Sequence, residues 1–481
     1  MIGGEFITFE EALMIDDLRI SANDERFFGS TDAVTIQNAV SYAKKNGYSE
    51  VVIPSRNART GKSLWVIDRA ILLPSEMTVF LENAHLVMAE GVWENMFRND
   101  NAFTDLGCTM EGEQHDIRII GLGHSVLDGG IANGLCEQLH RDDPEHYPSM
   151  FVNLTVFFHN VRNFELRNLQ FVNSRYWAVN FLYCRWGKLI DLDFREYGTM
   201  ENQDGIDLRV GCEYVTVENI TGITGDDTVA MTALPVGARF LKVQGKSDDI
   251  HDITIRNIES SVHGCAQVRF LCEDGASIYN VTIDGIKDTG RSIGGAAVFF
   301  GTGSTIFTHI HPRYMGEFRN IVVRNVFTTA QRGIDLAEPC QNVTIENLHC
   351  FGRNEVGIRA SKNFVADNVQ IRNVSICPDP ASHPDAGNCA FDIRVEDLDA
   401  LSGLKVHNVR ISGEKYIFRG TEIPVEDLRF EAPSEGYHTA ETPKLHSSYG
   451  RYFKEAYGKE IENRPADNRF GGGLRVEDEM L

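Results

Sequence analysis

The sequence predicts an all-β chain that folds as one right-handed parallel β-helix, with a short capping helix near its N-terminal end. The first observation is a short phrase that recurs along the chain from about residue 115. The second is that apolar and polar residues alternate within each copy, as they do in half-buried strands. The third is that no helical segment of about 10–15 residues separates the copies, although an α/β sheet would require one.

The recurring phrase alternates apolar and polar positions and then reaches Asn or Gly. Those two residues tolerate the left-handed turn that joins successive strands of one coil. Coils of about 22–28 residues with loop insertions on one side account for the uneven spacing of the copies. A β-sandwich would not repeat one strand-and-turn phrase. The clear copies are Phe164–Leu169, Val215–Ile220, Ile253–Ile258, Val281–Ile286, Ile321–Val326, Val343–Leu348 and Val369–Val374.

The N-terminal segment predicts a helix that closes one end of this solenoid. Thr31 or Asp32 can cap a helix in which the apolar positions 36, 39, 40 and 43 share one face. A strand follows at Glu50–Pro54. Because an open solenoid end is an aggregation-prone edge, a cap is expected at about residues 30–60.

The chain is expected to form a single β-helix domain over residues 1–431, followed by a tail at 432–481. The phrase decays after residue 378, and residues 378–388 resemble a loop. Strand-like pieces continue to residue 431. The polar tail either packs back on the solenoid or forms a subunit contact, and the sequence leaves both alternatives open.

The formal net charge of −23 disfavours two classes of partner. Nucleic acid and anionic membrane surfaces both need a basic face. The same charge weakly disfavours a long polyanionic substrate, because salt screens the repulsion beyond about 8–10 Å. No stretch of about 18 uncharged apolar residues predicts a membrane span.

The ten cysteines show no metal-type spacing, and the first residues lack a charged segment followed by an apolar one. These features predict free thiols in a reducing cytoplasm. The alternative is a secreted protein whose signal peptide is absent from this sequence. No GxGxxG or GxxxxGK[ST] motif occurs in a strand–helix setting, so no nucleotide or other cofactor is expected, and no metal.

Two successive coils carry clustered acids, in Glu201–Asp207 and Thr224–Met231. Positions one coil apart stack at about 4.8 Å in a parallel solenoid, so Asp204 is expected beside the Asp226–Asp227 pair. Crowding raises the pKa of at least one carboxyl group, which can then act as a general acid while its neighbour acts as a base. Hydrolysis of a glycosidic bond needs such a pair. The alternatives are a solvated acidic turn and a Ca²⁺ site.

The next coil supplies His263 and Gly264 before another strand. A lone histidine is usually structural or lies at the surface. Its place one coil beyond the acids makes it a candidate member of the same cleft, where Gly264 would let substrate or backbone approach closely.

These motifs resemble those of the polygalacturonases, glycoside hydrolase family 28, whose pattern is Asn-x-Asp, Gly/Gln-Asp-Asp, Gly-His-Gly and Arg-x-Lys. Asn202–Asp204 and Gly225–Asp227 match the first two motifs, and Val262–Gly264 matches the third in its last two residues. The resemblance spans about residues 30–375. It implies a pectin-lyase-like right-handed β-helix and an inverting, metal-independent hydrolysis.

The resemblance also implies roles for the matched residues. Asp226 would protonate the leaving oxygen, while Asp204 and Asp227 would together activate the attacking water. His263 would tune the acids or contact the substrate. Asn202 and Gly264 would belong to the substrate-binding surface.

The sequence departs from the family at the Arg-x-Lys motif, which holds the galacturonate carboxylate. The corresponding place reads Gly295–Phe300 and contains no cation, and Gly357–Lys362 lies too many coils downstream. Arg269, on the strand that follows His263, can grip a carboxylate with two parallel hydrogen bonds and is the candidate substitute. Otherwise the substrate is a neutral sugar or a differently placed uronate.

Two aromatic residues are candidates for lining the cleft. Tyr176 and Trp177 lie one coil before Asn202, where a sugar ring could stack. Packing in the core or at the surface explains them equally well.

The leading hypothesis is a glycoside hydrolase that acts on short oligosaccharides from a chain end. The exo preference follows from the long insert Leu234–Asp249, which could block one end of a cleft. The second hypothesis is a lyase or an intramolecular glycosyl transferase on the same solenoid. The third is a carbohydrate-binding solenoid without catalysis. The oligomeric state is left open.

Overall fold

A right-handed parallel β-helix fills the described part of the chain, which confirms the predicted fold class. The computed structural model describes residues 19–130, 143, 145, 149–196, 202–272, 275–292, 294–301, 315–379, 388–414 and 416–431. Within these ranges, no helix has the length and apolar character that crossing a membrane requires.

The predicted capping helix is present as α1 (Asp32–Lys45). The hydroxyl oxygen of Thr31 accepts a hydrogen bond from the backbone N–H of Val34 at 3.3 Å, so Thr31 is the N-cap. The apolar positions 36, 39, 40 and 43 are all buried, on the face that packs against the first strands.

The strands form two parallel sheets. In chain order they are β1 (Ile20–Ser21), β2 (Glu50–Pro54), β3 (Trp65–Ile67), β4 (Ile71–Leu73), β5 (Met77–Glu82), β6 (His85–Met88), β7 (Phe97–Asn99), β8 (Gln114–Leu122), β9 (Val126–Asp128), β10 (Val156–His159), β11 (Val161–Val172), β12 (Val179–Leu182), β13 (Arg185–Arg195), β14 (Ile206–Arg209), β15 (Glu213–Thr224), β16 (Val229–Ala233), β17 (Ile250–Val262), β18 (Ala266–Cys272), β19 (Ile278–Asp288), β20 (Ala296–Phe300), β21 (Phe318–Thr328), β22 (Arg332–Leu336), β23 (Cys340–Gly352), β24 (Val356–Ala360), β25 (Ala366–Pro378), β26 (Cys389–Ile393), β27 (Leu404–Ser412), β28 (Tyr416–Gly420) and β29 (Val425–Glu431).

The smaller sheet has 12 strands, which are β4, β7 and the even-numbered strands from β10 to β28. The remaining strands form the larger sheet of 17. From β10 onward, each coil adds one short strand to the smaller sheet and one long strand to the larger. The register pairs Leu166 with Leu189 and Leu189 with Val217, so like side chains stack from coil to coil.

The Asn or Gly residues near the end of each recurring phrase adopt the predicted left-handed conformation. All of them have positive φ: Asn168, Asn219, Asn257, Gly285, Asn325, Asn347 and Asn373. They bend the chain inside one continuous strand of the larger sheet rather than between two strands. Their side chains also form a ladder, in which Asn347 donates to Asn325 at 2.9 Å.

The solenoid extends beyond the region in which the phrase was recognised. Strands β1–β7 come before residue 115, and β26–β29 continue both sheets to Glu431. The N-terminal coils escape the sequence pattern because their strands are short. Residues 432–481 lie outside the described residues, so the predicted domain division and the role of the tail remain predictions.

The core lies between the two sheets and contains stacked rings. Phe164 and Phe181 have ring centroids 4.7 Å apart, and Phe270 and Phe300 have centroids 4.5 Å apart. Such stacks repeat because the parallel register places equivalent residues of successive coils side by side.

A second apolar cluster lies outside the smaller sheet. Phe151, Phe157 and Trp177 pack there with the buried part of the insert Leu234–Asp249, which includes Ala238 and Leu241. The cysteines among the described residues are free thiols. Localisation remains a prediction.

Candidate active site

The predicted acids lie where three neighbouring strands of the smaller sheet begin. β14 starts at Ile206, β16 at Val229 and β18 at Ala266. The register pairs Ile206 with Val229 and Val229 with Val268. The side chains that precede these strands therefore meet at one edge of the sheet.

Asp204 adjoins the Asp226–Asp227 pair, with a shift of one position from the expected register. The register places Asp204 beside Asp227, and Gln203 beside Asp226. The carbonyl oxygen of Gln203 accepts a hydrogen bond from the N–H of Asp226 at 3.2 Å. That of Asp227 accepts one from the N–H of Gly205 at 2.9 Å. The shift arises because this coil is one residue longer than the spacing of Asp204 and Asp226 suggests.

The carboxyl groups are buried, and burial dominates their ionisation. Only 3% of Asp204 is exposed. Burial, followed by the charges of Asp207, Asp226 and Asp227, raises the pKa of Asp204 well above its usual range. Burial raises the pKa of Asp227 to about 7, although Arg269 opposes the shift. Because crowded carboxylates cannot all ionise without a cost in free energy, the group holds at least one proton at neutral pH.

A fourth carboxyl group, that of Asp207, belongs to the same cluster. Asp207 ends the acidic segment Glu201–Asp207 but was not predicted as a site residue. Ile206 and Leu208 point into the core, so Asp207 and Arg209 lie on the outer face of β14. The Nη1 of Arg209 lies 4.0 Å from Oδ1 of Asp207. Burial raises the pKa of Asp207 well above its usual range, against the opposing charge of Arg209. The alternation in Ile206–Arg209 was the signal that could have revealed both residues.

Arg269 lies on the outer face of β18, beside the acids. Its Nη1 is 3.9 Å from Oδ2 of Asp227 and donates a hydrogen bond to the Sγ of Cys265. Its guanidinium carbon lies 4.3 Å from the ring centroid of Phe299. The guanidinium therefore brings positive charge to the acid cluster. Its predicted contact with a substrate carboxylate remains a prediction.

Cys265 faces the acid pair from the next coil and was not predicted as a site residue. Its Sγ and one carboxylate oxygen each of Asp226 and Asp227 all lie within 4.8 Å of one another. Ca²⁺ takes about 6–8 oxygen ligands, and a thiol is not among them. Arg269 also lies against Asp227 and Cys265. The donor set therefore does not favour the Ca²⁺ alternative.

His263, Gly264 and Asn202 lie at the same edge of the sheet. The N–H of His263 donates to the carbonyl of Thr224 at 3.0 Å, one coil away, and the histidine is half-buried. Gly264 is buried beside it, and Asn202 is buried two residues before Asp204. The structure brings these residues to the acids, while their contacts with substrate remain predictions.

The strand that follows β18 in the smaller sheet carries no cation, as the sequence indicates. It is β20, in which Phe299 pairs with Arg269. Arg359 lies on β24, where its Nε donates to Oδ1 of Asp335 at 2.9 Å, away from the acids. A nearer arginine, missed by sequence reasoning, is Arg332 on β22, whose guanidinium carbon lies 5.8 Å from the Phe299 ring centroid.

The rings of Tyr176 and Trp177 are packed within the protein. Both residues are buried in the second apolar cluster, and the guanidinium carbon of Arg209 lies 4.4 Å from the Trp177 ring centroid. The packing explanation therefore accounts for their positions. A sugar-stacking role stays a prediction without an exposed ring face to support it.

The insert Leu234–Asp249 packs over the outer face of the smaller sheet on the N-terminal side of the acids. Phe240 lies with its ring centroid 5.8 Å from that of Phe151. The carbonyl oxygen of Leu241 lies 2.7 Å from Nε2 of His159 on β10. These contacts fix the insert to the coils that precede β14.

The segment that carries the three acids also matches a known family. Residues 147–247 match the family model described as glycosyl hydrolases family 28. The predicted resemblance to family 28 is confirmed. The matched segment includes Asp204, Asp226 and Asp227 and ends before His263 and Arg269.

Solved structures share the β-helix fold at low identity. The N-terminal fragment of bacteriophage phi29 gene product 12 is 13% identical, covers 90% of this chain and 75% of its own, and gives a TM-score of 0.54. The A-module of the Azotobacter vinelandii mannuronan C-5 epimerase AlgE4 is 11% identical, with coverages of 88% and 98% and a TM-score of 0.51. A Yersinia enterocolitica family 28 exopolygalacturonase is 13% identical, with coverages of 88% and 77% and a TM-score of 0.40. No curated protein matches the chain.

Proposed function

We propose that the protein is a glycoside hydrolase that cleaves O-glycosidic bonds in oligosaccharides by adding water. One observation carries this proposal. Asp204, Asp226 and Asp227 form a buried carboxyl cluster inside the segment that matches glycosyl hydrolases family 28. Glycoside hydrolysis needs one protonated and one ionised carboxyl group, and a crowded cluster supplies both at neutral pH.

In the proposed reaction, Asp226 donates its proton to the leaving oxygen as the glycosidic C–O bond breaks. Asp204 and Asp227 accept a proton from the water whose oxygen bonds to the anomeric carbon. Attack from the opposite face inverts the anomeric configuration. Arg269, 3.9 Å from Asp227, favours the ionised form of that carboxyl group, which suits a base. Proton exchange with solvent then restores the cluster.

We also propose that cleavage takes place near a chain end. The insert Leu234–Asp249 is fixed to the outer face of the coils that precede the acids, through Phe240 and Leu241. A substrate chain that runs along the solenoid would meet this obstacle on one side of the acids. Cleavage near a chain end follows from such a block.

A neutral sugar at the cleavage point is favoured over a uronate. Arg269 contacts Asp227, Cys265 and Phe299, so its guanidinium is engaged with the protein. A bidentate grip on a substrate carboxylate that used Nη1 would have to break its contacts with Asp227 and Cys265.

The test is mass-resolved product analysis on oligogalacturonides, rhamnogalacturonan fragments, neutral plant oligosaccharides and fructans. Cleavage that adds 18 Da is expected for at least one substrate. Asp226→Asn should lower turnover by about 10²-fold or more, the scale of general-acid catalysis. Release of mono- or disaccharides from one end would support exo action, and proton NMR of the first product gives its anomer.

The matched control is Asp105→Asn, an identical chemical change at an exposed aspartate without a side-chain capping bond. It should leave turnover unchanged. Products without added water would replace the proposal with a lyase or an intramolecular transferase. If no substrate of the panel gave a product, the result would favour a carbohydrate-binding solenoid without catalysis.

A further inference from the structure

One corner of the solenoid is built from left-handed asparagines and aspartates. At the start of each long strand of the larger sheet from β8 to β25, one residue has a φ of 52° to 58°. In register order these residues are Asp116, Asn163, Trp186, Tyr214, Asp252, Asn280, Asn320, Asn342 and Asn368. We call this row the corner ladder.

Hydrogen bonds link the neighbouring amide and carboxyl side chains of the corner ladder. Asn163 donates to Asp116, Asn280 to Asp252 at 3.2 Å and Asn368 to Asn342 at 2.9 Å. Asn and Asp suit these positions because short polar side chains tolerate the left-handed region.

Trp186 and Tyr214 interrupt the corner ladder on two adjacent coils. Their φ values are 56° and 54°, a conformation that is an outlier for a bulky residue and costs of order 1–3 kcal/mol. Their aromatic side chains also cannot make the side-chain hydrogen bonds that Asn and Asp make on the neighbouring coils. Strain of this kind persists at functional sites.

Both aromatic residues lie at the surface. Trp186 and Tyr214 are each 48% exposed. The guanidinium carbon of Arg185 lies 4.6 Å from the Trp186 ring centroid, and the Tyr214 ring contacts His251 edge-on at 5.7 Å. Each ring therefore has one neighbour that orients it and a large area that remains open to solvent.

Charged side chains surround a cleft beside the two rings. Arg185, Glu213 and His251 line it, together with Lys246 and Asp249. They form ion pairs with one another or with nearby groups, such as Arg185 with Glu113 at 2.7 Å and His251 with Glu213 at 3.1 Å. Paired charges still offer hydrogen-bonding capacity to hydroxyl groups.

We propose that Trp186 and Tyr214 form a second binding site, which holds an oligosaccharide chain on the surface of the solenoid. Adjacent parallel strands are about 4.8 Å apart, a step comparable to the length of one pyranose unit, so successive sugars can meet successive rings. Aromatic faces contact the C–H faces of sugars, and the polar rim binds their hydroxyl groups. The inference rests on the proposed function, because it assigns the same class of substrate to a second surface.

This site is distinct from the acid cluster. Asp204 precedes β14 and Asp207 lies within it, whereas Tyr214 follows on β15, beyond the turn that ends β14. Nucleic acid and anionic membranes are unsuited to the surface, because the chain carries a net charge of −23. The charged rim beside the rings also differs from the apolar centre of a stable protein interface.

The test exploits the chemistry of the corner ladder itself. Replacing both aromatic residues, Trp186→Asn and Tyr214→Asn together, installs the residue that the neighbouring coils use. The double variant should unfold at a higher temperature than the parent, because strain is removed and the ladder becomes continuous. If the two rings served only to pack against the protein, the double variant would unfold at a lower temperature than the parent.

Binding is measured by native gel electrophoresis in gels that each contain one soluble polysaccharide: polygalacturonate, a neutral plant glucan or inulin. The parent should be retarded in at least one gel, and the double variant should lose at least about four-fifths of that retardation. Phe327→Ser, at a phenylalanine that is 44% exposed on β21, is the control and should migrate as the parent does.

Five results would overturn the proposal. Two concern the double variant: a lower unfolding temperature than the parent, or undiminished retardation. The others are no retardation of the parent in any gel, equal loss in the control, or a parent dimer in sedimentation velocity that the double variant lacks. Retardation needs no bond cleavage. Failure of hydrolysis in the product assay and failure of this surface site are therefore separate results.

Discussion

Asp204 illustrates how the site sets activity against stability. Its carboxyl group is buried among Asp207, Asp226 and Asp227, and its Oδ1 has no hydrogen-bond partner among the described residues. Burial and the neighbouring carboxylates raise its pKa. An ionisable group kept in such surroundings destabilises the fold whenever it must ionise, so its presence is best explained by function.

The raised pKa of Asp204 predicts a pH-dependent stability. Below the ordinary pKa of 3.8, the carboxyl group is protonated in both the folded and the unfolded chain, and it carries no penalty. As the pH rises further, the unfolded chain releases the proton first, so the free energy of unfolding falls towards the folded pKa. Asp227 adds a loss of the same sign between about pH 4 and its pKa of about 7.

Asp204→Asn should therefore abolish turnover and raise the free energy of unfolding at pH 8. At pH 4 the two proteins should differ little. Thermal unfolding across this range checks the prediction, with Asp105→Asn as the matched exposed change. Parallel pH profiles for the parent and Asp204→Asn would contradict it.

At the scale of single elements, the sequence predicted the row of left-handed residues near the ends of the recurring phrases, but it did not predict the geometry of that row. The recurring Asn predicted a left-handed residue in each coil, and φ is positive at every clear copy. The bend inside a continuous strand could not be predicted, because it depends on hydrogen bonds to the coils on both sides. Apart from β2, the strands before residue 115 were missed because strands of two to six residues carry little alternation.

Asn347 allows a quantitative test of this row of asparagines, which is separate from the corner ladder. Its Nδ2 donates to Asn325 at 2.9 Å, and its Oδ1 accepts from Asn373 at 3.2 Å. Asn347→Ala loses both bonds and also places a Cβ-bearing residue without a polar side chain in the left-handed region. The loss is about 0.5–1.5 kcal/mol for each bond, and the strain adds about 1–2 kcal/mol.

The matched variant is Asn347→Gly, which loses the same bonds but fits the backbone, as Gly285 does in its own coil with a φ of 94°. Chemical denaturation should find Asn347→Ala less stable than Asn347→Gly by about 1 kcal/mol. Equal stability of the two variants would show that the left-handed backbone contributes nothing measurable.

At the scale of the whole molecule, the sequence predicted the parallel solenoid and the grouping of its acids. It missed Cys265 and Arg332, because each joins the site through the register of neighbouring coils rather than through a local motif. It gave Asp207 no role, although the alternation in Ile206–Arg209 places that residue on the outer face of β14. It predicted that Asp204 lies beside the Asp226–Asp227 pair, but not that Asp227 is the direct neighbour. In a solenoid, a coil that is one residue longer changes which side chains meet, and only the pairing of strands settles that length.

The net charge of −23 leads to a prediction for the whole chain. An oligosaccharide with several carboxylates is repelled over a range that salt shortens, with a Debye length of about 10 Å at 0.1 M and about 3 Å at 1 M. Its kcat/KM should therefore rise between 50 mM and 500 mM NaCl, by about 2-fold or more, because long-range charge acts mainly on association. A neutral oligosaccharide of equal length should show less than about a 2-fold change.

The two substrates are measured side by side, with potassium glutamate in place of NaCl to separate screening from effects specific to chloride. A fall of kcat/KM with salt for the charged substrate would mean that the local field of Arg269, Arg332 and Arg209 outweighs the net charge of the chain. The cleft would then attract uronates, and the preference for a neutral sugar would be wrong. A rise of kcat/KM with salt for the charged substrate, beside a flat profile for the neutral one, would mean that the acidic surface controls substrate approach rather than these three arginines.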